Sequence, residues 1–175
     1  MNLKNYIRSI PNYPKKGIIF RDITPILNNA NAFTYCINRI SKFCEMEKIS
    51  KIAGIEARGF IIGAAVAFKL KLPFVPIRKE GKLPYKKYSQ KYELEYGFDI
   101  LEIHKDSIKK GEKIALIDDL IATGGTALAS KKLITKLGGS IRLFVSIVDL
   151  IDLGGSNKLK KTETKIISLM KLPLN

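Results

Sequence analysis

Apolar positions along this chain recur at two spacings, and the alternation between them sets out the fold. From Ala32 to Glu47, the residues Phe33, Ile37, Ile40 and Cys44 fall three and four apart, which predicts an amphipathic helix. KIAGI, ending at Ile55, is apolar without alternation and predicts a short buried strand. EARGF then turns into a second helical stretch along Gly59 to Lys69, and LPFVPI supplies the next strand. Residues 78–98 are basic and irregular at first, after which YELEYGFDILEIH alternates as antiparallel strand segments do. KIALI reads as a third buried strand, ended by Asp118 and Asp119. A helix is expected from Thr126 to Leu137, stopped by Gly138 and Gly139, and IRLFVSIVDL forms a further strand.

Strands alternating with helices predict an α/β fold: a central, mostly parallel sheet flanked by helices on both faces. Such a sheet binds ligands at the carboxyl ends of its strands, where the loops EARG and DDLIATGG should meet. Residues 78–98 interrupt the alternation and are read as a hairpin or flap covering a substrate. A length of 175 residues fits one domain with a substantial core.

Composition narrows the function classes. The N-terminal stretch MNLKNYIRSIPNYPKKG has no continuous apolar segment of the kind a secretion signal needs, and GFIIGAAVAF is about half the roughly 20 residues a spanning helix requires. A soluble, cytoplasmic protein without membrane contact is expected. Cys36 and Cys44 have no second pair and no clustered histidines, so neither a zinc site nor a disulfide framework is indicated. Basic residues outnumber acidic ones 31 to 16, a net charge of +15, which suits either a nucleic-acid surface or a protein handling small anions. The lysines are scattered through turns and solvated faces such as SKFCEMEKISK and IKKGEK rather than gathered in one stripe, which favours the second reading.

The chemistry concentrates in IDDLIATGGT. Gly124 and Gly125 let successive N–H groups turn toward one oxyanion, Thr123 and Thr126 add hydroxyl donors, and the following helix brings its positive end to the same place. The loop has no lysine, so it is not the GxxxxGK[ST] loop of triphosphate-binding proteins, and no GxGxxG occurs in the chain. Asp118 and Asp119 lie only a few residues upstream, where a second phosphate would be repelled. Acidic side chains accept hydroxyl protons instead, as an acidic residue does from a ribose. A phosphate next to vicinal hydroxyls describes a phosphorylated sugar.

This segment resembles the phosphoribosyl diphosphate signature of the type I phosphoribosyltransferases. YPKKGIIFRDITPIL, GIEARGFIIG, PIRKEGKLP, YELEYG, LEIHKDSIKKGEK and DLGG are similar, in order and spacing, to the adenine-specific branch of that family, over Ile7 to Leu159. The resemblance implies the type I phosphoribosyltransferase fold, with a small hood from residues 1–30 and a flexible flap over 79–98. It implies conversion of adenine and 5-phosphoribosyl 1-diphosphate to AMP and diphosphate, in purine salvage, by a homodimer. Mg²⁺ would be held mainly by substrate oxygens and water, so no direct protein ligand is expected.

The site residues follow from the same resemblance. Ala122, Thr123, Gly124, Gly125 and Thr126 would enclose the 5′-phosphate, and Asp118 and Asp119 would bind the ribose. Glu56, Ala57 and Arg58 would form the diphosphate loop around a cis peptide at Glu56–Ala57, with Arg58 stabilising leaving-group charge. Arg78, Lys79 and Lys82 would add positive charge, Arg78 being a candidate to serve a partner subunit. Ile19, Phe20 and Arg21 would receive adenine through backbone groups and a stacking face. Glu95 would accept or relay the proton from the imidazole edge of the base, and Tyr96 would close over the site. His104, the only histidine, is read as a structural strand end. Two other functions fit less of the sequence: a purine transferase with another base preference, and a non-catalytic sensor of phosphoribosyl diphosphate that binds nucleic acid. The flap lysines in YKKYSQK and the tail KKTETKIISLMKLPLN depart from the family pattern.

Overall fold

The computed structural model describes residues 1–93 and 97–174; Leu94, Glu95, Tyr96 and Asn175 lie outside the described residues. After a 3-10 turn at Leu3–Tyr6, strands β1 (Arg8–Pro11) and β2 (Ile19–Asp22) pair antiparallel as a separate two-stranded sheet. The short helix α1 (Thr24–Leu27) follows, then α2 (Ala30–Met46). α2 begins ahead of its first periodic residue because Asn29 caps it, its side chain accepting the Ala32 N–H at 2.9 Å. It buries Ala32, Cys36, Ile37, Ile40 and Cys44, the face that the spacing predicts.

Next come β3 (Lys51–Ile55), α3 (Arg58–Leu70), β4 (Phe74–Lys79), β5 (Lys87–Glu93), β6 (Phe98–His104) and β7 (Lys113–Ile121). The chain ends with α4 (Gly125–Lys136), β8 (Ser140–Leu150), α5 (Gly155–Lys160) and β9 (Lys165–Leu172). Among the described residues the main sheet has the order β5-β6-β4-β3-β7-β8-β9, parallel from β4 through β9 and antiparallel at β6 and β5. Strand β3, buried along its whole length, is at its centre and explains why KIAGI shows no polar alternation. Apolar residues cover both faces: Ile52, Ala115 and Ile117 pack with α2 and α3, while Ala53, Leu116 and Phe144 pack with the α4 residues Leu133 and Ile134.

Several expected boundaries move. Asp118 and Asp119 do not end their strand, because β7 stays paired with β8 as far as Ile121 opposite Asp149. β4 runs from Phe74 to Lys79 rather than Leu72 to Ile77, so Arg78 and Lys79 are strand residues. α4 starts at Gly125 and ends at Lys136; Gly138 beyond it takes φ +87°, the left-handed turn that a helix stop uses. The tail that departs from the family pattern contains β9, an edge strand parallel to β8 from Lys165 opposite Leu143 to Leu172 opposite Leu150. The expected flap is a β5–β6 hairpin extending to His104, joined to the sheet through the pairs Arg78–Glu102 and Lys79–Leu101. His104 closes β6, as read from the sequence. Both cysteines are buried and free, and burial pushes Cys36 up to about 11 and Cys44 up to about 12. No helix among the described residues is long and apolar enough to cross a membrane.

Candidate active site

A cleft of ≈ 230 Å³ opens at the carboxyl ends of β3 and β7. Glu56, Ala57 and Arg58 line one side, Asp118 and Asp119 the floor, and Ala122, Thr123, Gly124 and Thr126 the other side; Lys79 closes it at the end of β4. Residues far apart in sequence are thus brought to one concave surface by the parallel sheet, at the position that strand polarity dictates.

The Ala122–Thr126 loop is shaped by backbone contacts. Gly124 takes φ +82° at the start of α4, with no side chain capping the helix, so the first N–H groups of α4 remain open toward a ligand. Gly155 passes directly beneath the loop and donates its N–H to Ala122 O at 3.0 Å. A Cβ on Gly155 would lie 2.2 Å from Ala122 O and 2.6 Å from Gly124 N, so only glycine permits this approach. Gly155 has no role among the expected site residues although it lies in the DLGG segment, because its contact with Ala122 exists only in the folded chain. Gly125 faces away from the cleft toward the hairpin, where a Cβ would be 3.1 Å from Glu93 O.

The opposite loop is built with charge. The Glu56–Ala57 peptide is cis, and α3 begins immediately after it at Arg58. Close approach of α3 to β7 depends on Gly59, where a Cβ would be 2.7 Å from Ile117 O and 3.2 Å from Asp118 Oδ1. Arg58 Nη2 stands 2.9 Å from Asp119 Oδ2, a close ion pair without hydrogen-bond alignment. The same guanidinium lies 5.4 Å from the centre of the Phe20 ring, linking the cleft to β2. Arg78 holds Glu56 through two contacts, Nε to Oε2 and Nη2 to Oε1, each 3.2 Å, and Glu56 Oε2 also accepts the Lys79 N–H at 2.9 Å. Lys79 Nζ turns to Asp99 and to the Tyr92 hydroxyl, the latter at 2.8 Å.

The carboxylates differ in what their surroundings do to them. Burial, followed by the charge of Asp119, raises Asp118 well above the ordinary carboxylate range. Burial also raises Asp119, against the opposing pull of Arg58. Burial and proximity therefore make two negative charges on this pair costly. Burial acts on Glu56 in the same direction but is outweighed by hydrogen bonds from Arg78 and the Lys79 N–H, so Glu56 is lowered; Asp99 is lowered likewise by Lys79. Lys79 is raised, its burial overcome by Asp99 and Tyr92.

The structure does not bring every expected residue to the cleft. Arg78 is held against Glu56 and Phe60, and the carbonyl of Lys82 accepts from Arg78 Nη1 at 3.2 Å while its side chain stays exposed. Ile19 and Arg21 lie in the β1–β2 ladder opposite Pro11 and Ser9, and the Arg21 side chain reaches the carbonyls of Pro173 and Leu174 at 3.0 and 3.1 Å. Phe20 reaches the site through Arg58 and packs edge-on against Tyr13, ring centres 5.3 Å apart. Glu95 and Tyr96 lie outside the described residues. Among the described residues no group of three or more His, Cys, Asp or Glu could hold a metal ion. The acid pair in the cleft offers oxygen donors only, which suits a hard cation that brings most of its ligands with the substrate.

Comparison with known proteins agrees with this geometry. Residues 24–171 match the family described as phosphoribosyl transferase domain. The chain is 53% identical over 173 residues to the adenine phosphoribosyltransferase of Pelagibacter ubique, covering 99% of each. The crystal structure of adenine phosphoribosyltransferase from Thermoanaerobacter pseudethanolicus superposes with a TM-score of 0.92 at 49% identity, covering 97% of this chain and 98% of that one. The enzyme from Saccharomyces cerevisiae, solved with an imino-altritol bisphosphate and adenine, gives a TM-score of 0.89 at 36% identity over 96% of each chain.

Proposed function

Because the chain belongs to the phosphoribosyltransferase family, we infer that it transfers the phosphoribosyl group of 5-phosphoribosyl 1-diphosphate to adenine, yielding AMP and diphosphate. The observation that carries this reading is the ≈ 230 Å³ cleft, in which two helix N-termini flank an acid pair. That arrangement matches a ligand with an anion at each end and hydroxyls between. Full-length relatives at about half identity that bear the adenine-specific name support the choice of base.

In this reading Ala122–Thr126 hold the 5′-phosphate with backbone N–H groups and the Thr123 and Thr126 hydroxyls. Asp118 and Asp119 accept hydrogen bonds donated by the ribose hydroxyls. Arg58, with Lys79, meets the diphosphate, where negative charge grows as the bond to the anomeric carbon breaks. Glu56 acts through Arg78 and the Lys79 N–H rather than on the diphosphate itself, since a carboxylate would repel that group. Adenine enters between the hood and the cleft beside Phe20, with Glu95 taking the imidazole-edge proton and Tyr96 covering it. Mg²⁺, held mainly by substrate oxygens and water, would neutralise part of the diphosphate charge.

A homodimer belongs to the same proposal. Along the outer side of α3, Ala57, Ile61, Ala64 and Phe68 form an exposed stripe, with Ile61 48% and Phe68 88% exposed. A helix face of this kind that continues from the diphosphate loop suits a second copy, whose Arg78 would stand near the first copy's site. A light-scattering mass of one chain would refute this part. Competition among adenine, hypoxanthine, guanine and xanthine tests the substrate: AMP should be the dominant product, and a preference for an oxopurine would overturn the assignment.

A further inference from the structure

The cations around the cleft are balanced by carboxylates one to one: Arg58 by Asp119, Arg78 by Glu56, and Lys79 by Asp99. Two of these carboxylates already have work in the proposed reaction, at the ribose and in the diphosphate loop. Asp99 has none. It is on β6, outside the cleft lining, yet its Oδ2 meets the ammonium group of Lys79, which does line the cleft. The Tyr92 hydroxyl completes a triangle, 2.8 Å from Lys79 Nζ and 3.2 Å from Asp99 Oδ2. Tyr92 is buried, so the triangle has a fixed wall on its inner side. The Asp99 carboxylate is itself oriented by the Ile100 N–H at 2.7 Å.

We propose that Asp99 is a positioning residue: a built-in competitor for Lys79 that sets how tightly the enzyme holds diphosphate. This rests on the assignment of Lys79 to diphosphate made above. A lysine facing an incoming dianion with no counter-charge would bind the product as strongly as the substrate and slow its departure. With Asp99 tethered beside it, every phosphate contact made by Lys79 replaces a carboxylate contact. Its net gain is therefore the difference between two ion pairs rather than the whole of one. The Tyr92 hydroxyl strengthens the tether on the Asp99 side, because it can accept from Lys79 while donating to Asp99. Among the described residues, Asp99 and Tyr92 from the hairpin contact the Lys79 ammonium group, Glu56 accepts the Lys79 N–H, and Arg58 shares the cleft lining.

The test measures diphosphate affinity in the presence of Mg²⁺, by calorimetry on the full chain and by product inhibition. Asp99→Asn keeps the shape and removes the competing charge; diphosphate should bind about fivefold more tightly, the size expected for a partly exposed pair. The KM for phosphoribosyl diphosphate should fall in parallel, with the KM for adenine unchanged. Tyr92→Phe should act in the same direction with a smaller change, and it stands in if Asp99→Asn does not fold. Lys79→Gln should weaken diphosphate binding, and adding Asp99→Asn to Lys79→Gln should cause no further change, because the two residues act through one contact. If Lys79→Gln weakens binding while Asp99→Asn leaves it unaltered or weaker, Lys79 keeps its role and the competitor role of Asp99 is overturned. If Lys79→Gln has no effect, the assignment of Lys79 falls and this inference with it.

Discussion

The two loops that flank this cleft are built in opposite ways. At Ala122–Thr126 the chain uses no cation: Gly124 in a left-handed conformation and Gly155 pressed against Ala122 O fix the open N–H groups of α4. At Glu56–Arg58 it uses Arg58, with Arg78 and Lys79 nearby, and every one of these cations is already paired with a carboxylate. The difference matches what each end of the ligand does in the proposed reaction. The 5′-phosphate stays on the sugar from substrate to product, so rigid dipoles suffice. Diphosphate must be gripped as charge grows on it and then released, so exchangeable ion pairs serve better.

Replacing Gly155 should break the rigid loop most completely. Gly155→Val puts side-chain atoms where backbone already stands, and a shift of about 1 Å there should lower kcat/KM on the order of a hundredfold while lowering the melting temperature. Near-normal kinetics would mean that the loop is not held by that contact. Arg58→Gln strikes the other loop: kcat/KM for phosphoribosyl diphosphate should fall about 10- to 100-fold, with AMP binding, read by calorimetry, losing far less. Equal losses for both ligands would erase the distinction between the loops.

The smallest expected effect lies between the two. Burial and the neighbouring Asp119 raise Asp118, so the folded chain binds a proton there that the unfolded chain does not. Stability therefore declines as pH rises from the ordinary carboxylate range through the raised value. Asp118→Asn removes that liability and should raise the melting temperature of the unliganded protein by about 2–4 °C at pH 7.5. The gain should shrink toward pH 4. A melting temperature unchanged at both pH values would show that the pair is not electrostatically frustrated.

How far the sequence speaks depends on how a signal is encoded. The buried strand KIAGI, the α2 face and the acid–glycine segment are continuous in sequence, and each is found within a residue or two of its expected place. β9 was not legible because an edge strand half exposed on both faces shows neither a clean alternation nor an apolar run. The end of β7 was misplaced because two aspartates look like a terminus, whereas β8 keeps pairing beside them. The ion pairs Arg78–Glu56 and Lys79–Asp99 join residues about twenty apart, and the contact of Gly155 with Ala122 joins two loops. Partners of that kind become visible only once the strands are in register.

Among the described residues, β5 and β9 are the edge strands of the main sheet. β5 carries Lys91, over the Phe98 ring, and β9 carries Lys171 near its end; Lys87 and Lys165 stand on the same strands but are paired with Glu102 and Glu47. An open edge invites another copy to add its own strand, and an ammonium group on each edge that is not matched by a carboxylate among the described residues makes that approach repulsive. Part of the surplus of +15 can therefore be understood as protection against edge-to-edge aggregation, independent of any ligand. The protection is screened by salt, so concentrated stocks should stay clearest in dilute buffer, and charge-removing changes on β5 should shorten their shelf life first.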